Sequence, residues 1–182
     1  MGALHAGHAA LLRTARQQAD QLVASIFVNP TQFGPHEDFE RYPRQPEADH
    51  ALCADAGVDV VFYPRREDMY APDHSVYVVE GQLTRGLCGP FRPGHFRGVL
   101  TVVTQLLNIV QPTAAVFGQK DAQQARLIQR LVRDLHLPVR ILIAPTVREQ
   151  DGLAMSSRNR YLSAEERRRA CALSQALHDA EL

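Results

Sequence analysis

The spacing of apolar positions changes repeatedly along this chain. Ala9, Ala10, Leu11 and Leu12, followed by Ala15 and Ala19, recur at the spacing of one helix face. The run LVASIFV (22–28) is instead almost continuously apolar, rich in β-branched and aromatic residues, as strands buried on both faces of a parallel sheet are. The pattern then predicts a helix over 46–56 and a strand at VDVVFYP (58–64), ended by Pro64. An irregular stretch follows, with a short strand expected at VYVVE (76–80). Next come a helix over 98–110, a strand at AAVF (114–117), a helix over 121–135 and a strand at VRILIA (139–144). Strands alternating with helices of about 10–15 residues imply βαβ units on a parallel sheet. The expected fold class is α/β, a Rossmann-like parallel sheet flanked by helices.

That architecture makes a demand the pattern does not meet. Ligands of open α/β sheets sit at the carboxyl ends of the strands, so a helix opening on HAGH (5–8) should be fed by a strand just before it. The expectation is a nucleotide-binding domain over 1–145 whose first strand is missing, leaving an unpaired position near LVASIFV. Residues 146–182 are then the beginning of a truncated C-terminal domain, whose helix starts at the capping sequence SAEE (163–166). The Gly-, Pro- and charge-rich stretch 34–46 is long enough to be a lid over a site.

Composition narrows the ligand. Twenty acidic side chains balance twenty basic ones, so no net field favours nucleic acid or an anionic membrane, and a small molecule is the expected partner. The longest apolar run, GVLTVVTQLLNIV, has thirteen residues and contains Thr, Gln and Asn, short of the roughly 20 a membrane span needs. Cys53, Cys88 and Cys171 are odd in number and far apart, which suits free thiols in a reducing cytoplasm.

Four stretches carry candidate chemistry. In MGALHAGH, His5 and His8 stand one helical turn apart, and Gly2 and Gly7 allow close approach of a ligand or another backbone. Phosphate suits such a helix start, where free N–H groups and the positive dipole end point outward; half a metal site or plain surface histidine are the competing readings. In SIFVNPTQFGPHEDFERYPR, Asn29 and Gln32 follow a buried strand, where amides can hold hydroxyl or carboxylate groups, or cap a turn. In AAVFGQKDAQQARLI, Lys120 is a point charge at a strand-to-helix turn, and Asp121 can cap the helix or take a ribose hydroxyl. In REQDGLAMSSRNRYLS, Ser156, Ser157 and Arg158 can wrap a triphosphate or form a solvated basic loop.

Together these stretches resemble the pantothenate synthetase family, the pantoate:β-alanine ligases: M-G-A-L-H-x-G-H, FVNPTQFGPHEDFERYPR, FGQKD followed by QQ, and MSSRNRYLS, in family order. H-x-G-H alone would indicate only the wider nucleotidylyltransferase superfamily. The resemblance implies ATP- and Mg²⁺-dependent condensation of pantoate with β-alanine through a pantoyl adenylate, giving pantothenate, AMP and pyrophosphate, in a cytoplasmic homodimer. It implies an ATP site formed by Met1, Gly2, Ala3, Leu4, His5, Gly7 and His8, with Gly118, Gln119, Lys120, Asp121, Val147, Met155, Ser156, Ser157 and Arg158. His8, His5 and Lys120 would be catalytic, Gln32 and Gln124 would hold pantoate, and Asn29 would lie near β-alanine. Gln119 stands where many relatives have Glu. Relatives also have a strand before Met-Gly and a longer C-terminal domain, so this chain is expected to be a form with reduced or no activity.

Overall fold

The computed structural model describes residues 1–180; Glu181 and Leu182, the end of the expected C-terminal segment, lie outside the described residues. The chain forms helix α1 (Ala6–Arg16), strand β1 (Val23–Ser25), helix α2 (Pro46–Asp55), strand β2 (Val60–Phe62) and a short helix α3 (Arg66–Met69). Helix α4 (His95–Val110), strand β3 (Ala114–Gly118), helix α5 (Ala122–Asp134), strand β4 (Arg140–Ala144) and helix α6 (Ala164–Ala180) follow. The α/β class is as expected from the alternating periods.

Two parallel βαβ units form two two-stranded sheets. β1 pairs with β2 in register Val23↔Val60 through α2, and β3 pairs with β4 in register Ala114↔Arg140 through α5. The larger core lies between α4 and α5, where Leu100, Leu127 and Ile128 are fully buried, with Phe117 and Ile141 packed on it. A smaller core joins Ala24, Ile26 and Cys53 to Leu4 and Leu12, so that it ties α1 and the lead-in segment to the first unit.

β1 and β3 belong to different sheets, and each has one strand partner among the described residues. Both border the same cavity, together with Leu11, Leu12 and Ala15 of α1 and Val99, Val103 and Leu107 of α4. An open position therefore stands between the two units, beside β1 and β3. Unpaired strand edges next to an apolar slot invite a further strand.

Three details depart from the pattern. VYVVE forms no strand: Val76 and Val79 are exposed, and the Val78 N–H donates to Thr101 Oγ1 at 3.0 Å instead of to a strand backbone. Helix α4 starts at His95, ahead of the expected 98, because Gly94 at φ +82° turns the chain into it. The stretch 34–46 is tied down: Arg92 pairs with Glu37 at 2.6 Å and Arg158 with Asp38 at 2.7 Å, over an edge-to-face cluster of Phe33, Phe39 and Tyr42. At the far end the SAEE cap is formed, with the Ser163 N–H donating to Glu166 at 2.8 Å. α6 buries no residue, and Leu173 and Leu177 lie exposed one turn apart.

An apolar, strand-forming segment fused ahead of Met1 should enter the slot and satisfy both edges. It is expected to raise the thermal midpoint by about 5 °C or more, since roughly 1–2 kcal/mol moves a domain of this size by that amount. Differential scanning calorimetry reads the shift, and an unchanged midpoint would show that the slot does not accept a strand.

Candidate active site

The site is built from the start of α1 outward. His5 is the residue that caps the helix, and its Nδ1 accepts the Gly7 N–H at 3.1 Å; His8 Nδ1 accepts the His5 N–H at 3.2 Å. The two rings stand 4.1 Å apart. Gly7 leaves room for this ring, because a Cβ would come within 2.9 Å of His5 Cε1 and displace it. A neutral imidazole whose Nδ1 accepts carries its proton on Nε2, so each ring keeps an Nε2–H donor with no protein partner among the described residues.

Both rings stay neutral at ordinary pH. Burial, followed by the charge of Lys120, lowers the His5 pKa, and burial, followed by His5, pushes His8 down to about 3. A neutral Nε2–H donor keeps its hydrogen bond to an anion without needing a proton from solvent.

All the candidate residues except Gly2, Ala3 and Gln119 line one cavity of about 1090 Å³, the one that continues into the slot between β1 and β3. Gly2 and Ala3 are buried behind its wall, and Gln119 is exposed outside it. Lys120, the only lysine in the sequence, sits past the end of β3 with Nζ 3.4 Å from Asp121 Oδ1. Asp121 occupies the capping position of α5 but makes no capping hydrogen bond, which leaves its exposed carboxylate to Lys120 and solvent. Gln124, one turn into α5, has no hydrogen-bond partner among the described residues.

Asn29 is a wall-former. It is 1 % exposed; its Nδ2 donates to the Gly98 carbonyl at 3.2 Å and to Gln32 Oε1 at 3.1 Å, while its Oδ1 accepts from Tyr70 at 2.8 Å. α4 presses on this turn so closely that a Cβ at Gly98 would lie 2.3 Å from the Thr31 carbonyl oxygen. Among the described residues Gln32 Nε2 has only the Met1 sulfur, a weak acceptor, at 3.0 Å. His95 Nδ1 donates to the Gln32 carbonyl at 2.8 Å and its Nε2 accepts from Arg92 at 3.0 Å, with burial holding the ring's pKa down.

The segment 146–158 closes the other side. Ser156 Oγ accepts the Arg158 N–H at 3.2 Å. Ser157 Oγ meets Tyr42 Oη at 3.1 Å, and the Arg158 guanidinium lies over the Tyr42 ring while donating twice to Asp38. The loop read as a lid thus already holds the hydroxyl and guanidinium read as phosphate ligands.

Sequence reasoning missed Asp38, Tyr42, Arg92, His95 and Asp49. Only their three-dimensional partners distinguish them from ordinary loop and helix residues; Asp49 reads simply as an acidic residue in a helix's first turn.

The sequence model of the Pantoate-beta-alanine ligase family matches residues 1–182. The chain belongs to this family. Pantothenate synthetase of Moorella thermoacetica is 61% identical over 178 residues, covering 98% of this chain and 63% of the relative. That of Thermotoga petrophila is 60% identical over 181 residues, covering 100% of this chain and 65% of the relative. Among solved structures, pantothenate synthetase from Thermus thermophilus superposes with a TM-score of 0.95 at 54% identity, covering 97% of this chain and 64% of that one. A pantoate-β-alanine ligase from Francisella tularensis, solved in complex with beta-gamma ATP and β-alanine, matches with a TM-score of 0.91 at 40% identity, covering 98% and 69%. The chain thus spans somewhat under two thirds of the length of the curated pantoate-β-alanine ligases named here.

His8 gives the site a pH signature. Its native pKa of about 3 lies below the ordinary 6.5, so between these values the unfolded chain binds the proton that the native one refuses. Stability from this group is complete above pH 6.5 and is expected to fall as pH drops toward 3. Urea midpoints measured across that range for the chain and for His8→Gln should converge at the acid end, and parallel curves would contradict the assignment.

Proposed function

We propose that this chain carries the adenylating part of a pantoate:β-alanine ligase, using ATP to activate the pantoate carboxylate. The observation that carries this reading is the gathering of His5, His8, Lys120, Arg158 and two weakly engaged glutamines, Gln32 and Gln124, around one cavity. In the first step a pantoate carboxylate oxygen attacks the α-phosphorus of ATP; the bond to the β-phosphate bridging oxygen breaks and pyrophosphate leaves. In the second, the β-alanine amine attacks the acyl carbon of the pantoyl adenylate, AMP leaves and the amide forms.

Catalysis of the first step is chiefly positioning and charge stabilisation. Lys120 supplies a mobile positive charge for the phosphates, while His5 and His8 supply neutral Nε2–H donors at the open end of α1. The Gln32 and Gln124 amides suit the hydroxyl and carboxylate oxygens of pantoate. Asn29, locked in the wall, acts near β-alanine by fixing Gln32. Gly2, Ala3 and Gln119 contribute backbone structure to the ATP site, and Leu4, Gly7, Gly118, Val147 and Met155 contribute its surface.

Mg²⁺ fits this site as a passenger on the triphosphate. No group of three His, Cys, Asp or Glu able to hold a metal occurs among the described residues, and Mg²⁺ usually keeps its waters and takes one or two carboxylates plus phosphates. Asp121, the cavity-wall carboxylate beside Lys120, would receive it, and the ion would offset phosphate charge. Three free thiols support a reducing compartment, and no helix of the described residues is long and apolar enough to cross a membrane. Self-association as a homodimer belongs to the same reading.

Exchange of labelled pyrophosphate into ATP tests the reading. Exchange that depends on pantoate supports it, dependence on another acid or nucleotide acceptor identifies a different transferase, and none at all leaves a nucleotide-binding fold without turnover. Complete condensation with β-alanine is expected to be weak, because among the described residues β1 and β3 have no partner strand on their cavity side and a displacement of about 1 Å can cost on the order of 10²-fold in rate. Pantothenate formation at the rate of the longer relatives would overturn that. Lys120→Ala should slow exchange by roughly 10² to 10³, the effect of losing one transition-state donor; a near-normal rate would remove Lys120 from the mechanism.

A further inference from the structure

The segment that leads into α1 follows an unusual path. Gly2 has φ +118° and Ala3 φ +50°, and Ala3 is 2 % exposed. Left-handed backbone at alanine is disfavoured and persists only where the surroundings hold it. What holds it is Asp49 of α2, a residue 46 positions away in sequence. One carboxylate oxygen accepts the Ala3 N–H at 3.0 Å and the other accepts the Leu4 N–H at 2.6 Å. Gly2 makes room for this arrangement, since a Cβ there would stand 3.3 Å from Asp49 Oδ2.

Asp49 is 2 % exposed, and burying a carboxylate is costly unless its oxygens are satisfied. A favourable charge for the start of α2 does not require that burial, for exposed Glu47 in the same turn supplies it. The buried carboxylate is spent on the neighbouring segment. Leu4 is followed directly by His5, whose backbone N–H is in turn held by His8 Nδ1. Asp49 is therefore linked through the Ala3–Leu4–His5 backbone to the His5 ring and, by way of the His5 N–H, to His8 Nδ1.

We infer that Asp49 is a positioning residue for the reaction: by gripping Ala3 and Leu4 it sets where His5 and His8 present their Nε2–H donors. This rests on the reading of the cavity as the adenylation site. Asp49 touches neither substrate nor reacting atoms; it acts through the helix start.

Asp49→Asn is the informative change, because it conserves volume yet turns one acceptor oxygen into an N–H₂ that faces an N–H. In the 182-residue chain, pantoate-dependent exchange should lose about 10- to 100-fold in kcat while KM for pantoate changes less than about threefold. Asp55→Asn, on the exposed side of the same helix, should leave both parameters alone. Imidazole ¹⁵N spectra at about pH 7.5, above the ordinary histidine pKa, provide a readout independent of activity. The unaltered chain should show His5 and His8 as neutral Nε2–H tautomers, and Asp49→Asn should show Nδ1–H or protonated imidazole at one ring or both. Ring spectra identical to those of the unaltered chain would overturn the inference. So would a kcat loss that merely follows the folded fraction. If the unaltered chain shows no exchange, the proposed reaction fails and the ¹⁵N spectra alone decide the role of Asp49. Should the Asn variant not fold, Asp49→Ser, with one small acceptor, is read against the same spectra.

Discussion

The first N–H groups of a helix have no partner within the helix, and how α1 deals with them decides most of what surrounds it. Serine or aspartate would be the common solution; here two imidazoles take the part, His5 accepting from Gly7 and His8 reaching back to His5. The first turn of α1 carries no acidic residue of its own, which leaves the cavity side of its positive end open to an anion. Because each ring uses Nδ1 for the cap, Nε2 is left as a donor. The same bonds that start the helix thus fix which hydrogen the site offers to a ligand.

The rest of the site is arranged around that start by packing. β3 delivers Lys120 past its carboxyl end, α5 begins there and carries Gln124, and α4 presses Gly98 against the Asn29–Gln32 turn. Loop 34–46 adds the opposite wall through two ion pairs of partly buried partners, Glu37 with Arg92 and Asp38 with Arg158. Hydrogen bonding to Arg92 and Arg158, respectively, holds both carboxylates below their ordinary pKa. Two adjacent acidic residues thereby connect the glutamine side of the cavity with the serine–arginine side.

Much of this was legible in local sequence. Alternation of period marked every major helix and all four strands, since each strand's apolar run is ended by a turn signal and matched by a helix that covers it. VYVVE misled because alternating apolar residues describe the fitness of a segment for a ladder and not the presence of a partner. The histidines, lysine and serine–arginine stretch stood out because their residue types are chemically pointed and close to helix or strand ends. Asp49 did not, because its meaning depends on two backbone N–H groups from the far end of the chain. Asp38 and Glu37 were hidden for the same reason: a charged loop looks solvated until its arginines are located.

Lys120 has a consequence for the chemistry of the whole surface. Every other cationic side chain apart from the histidines is an arginine, whose guanidinium does not react with ordinary amine-acylating reagents. The partly exposed side chain of Lys120 is therefore the accessible side-chain amine among the described residues. Acylation or reductive alkylation of this protein, procedures that scatter over most proteins, would converge on the mouth of one cavity, and a bound anion there would shield the only lysine the chain possesses.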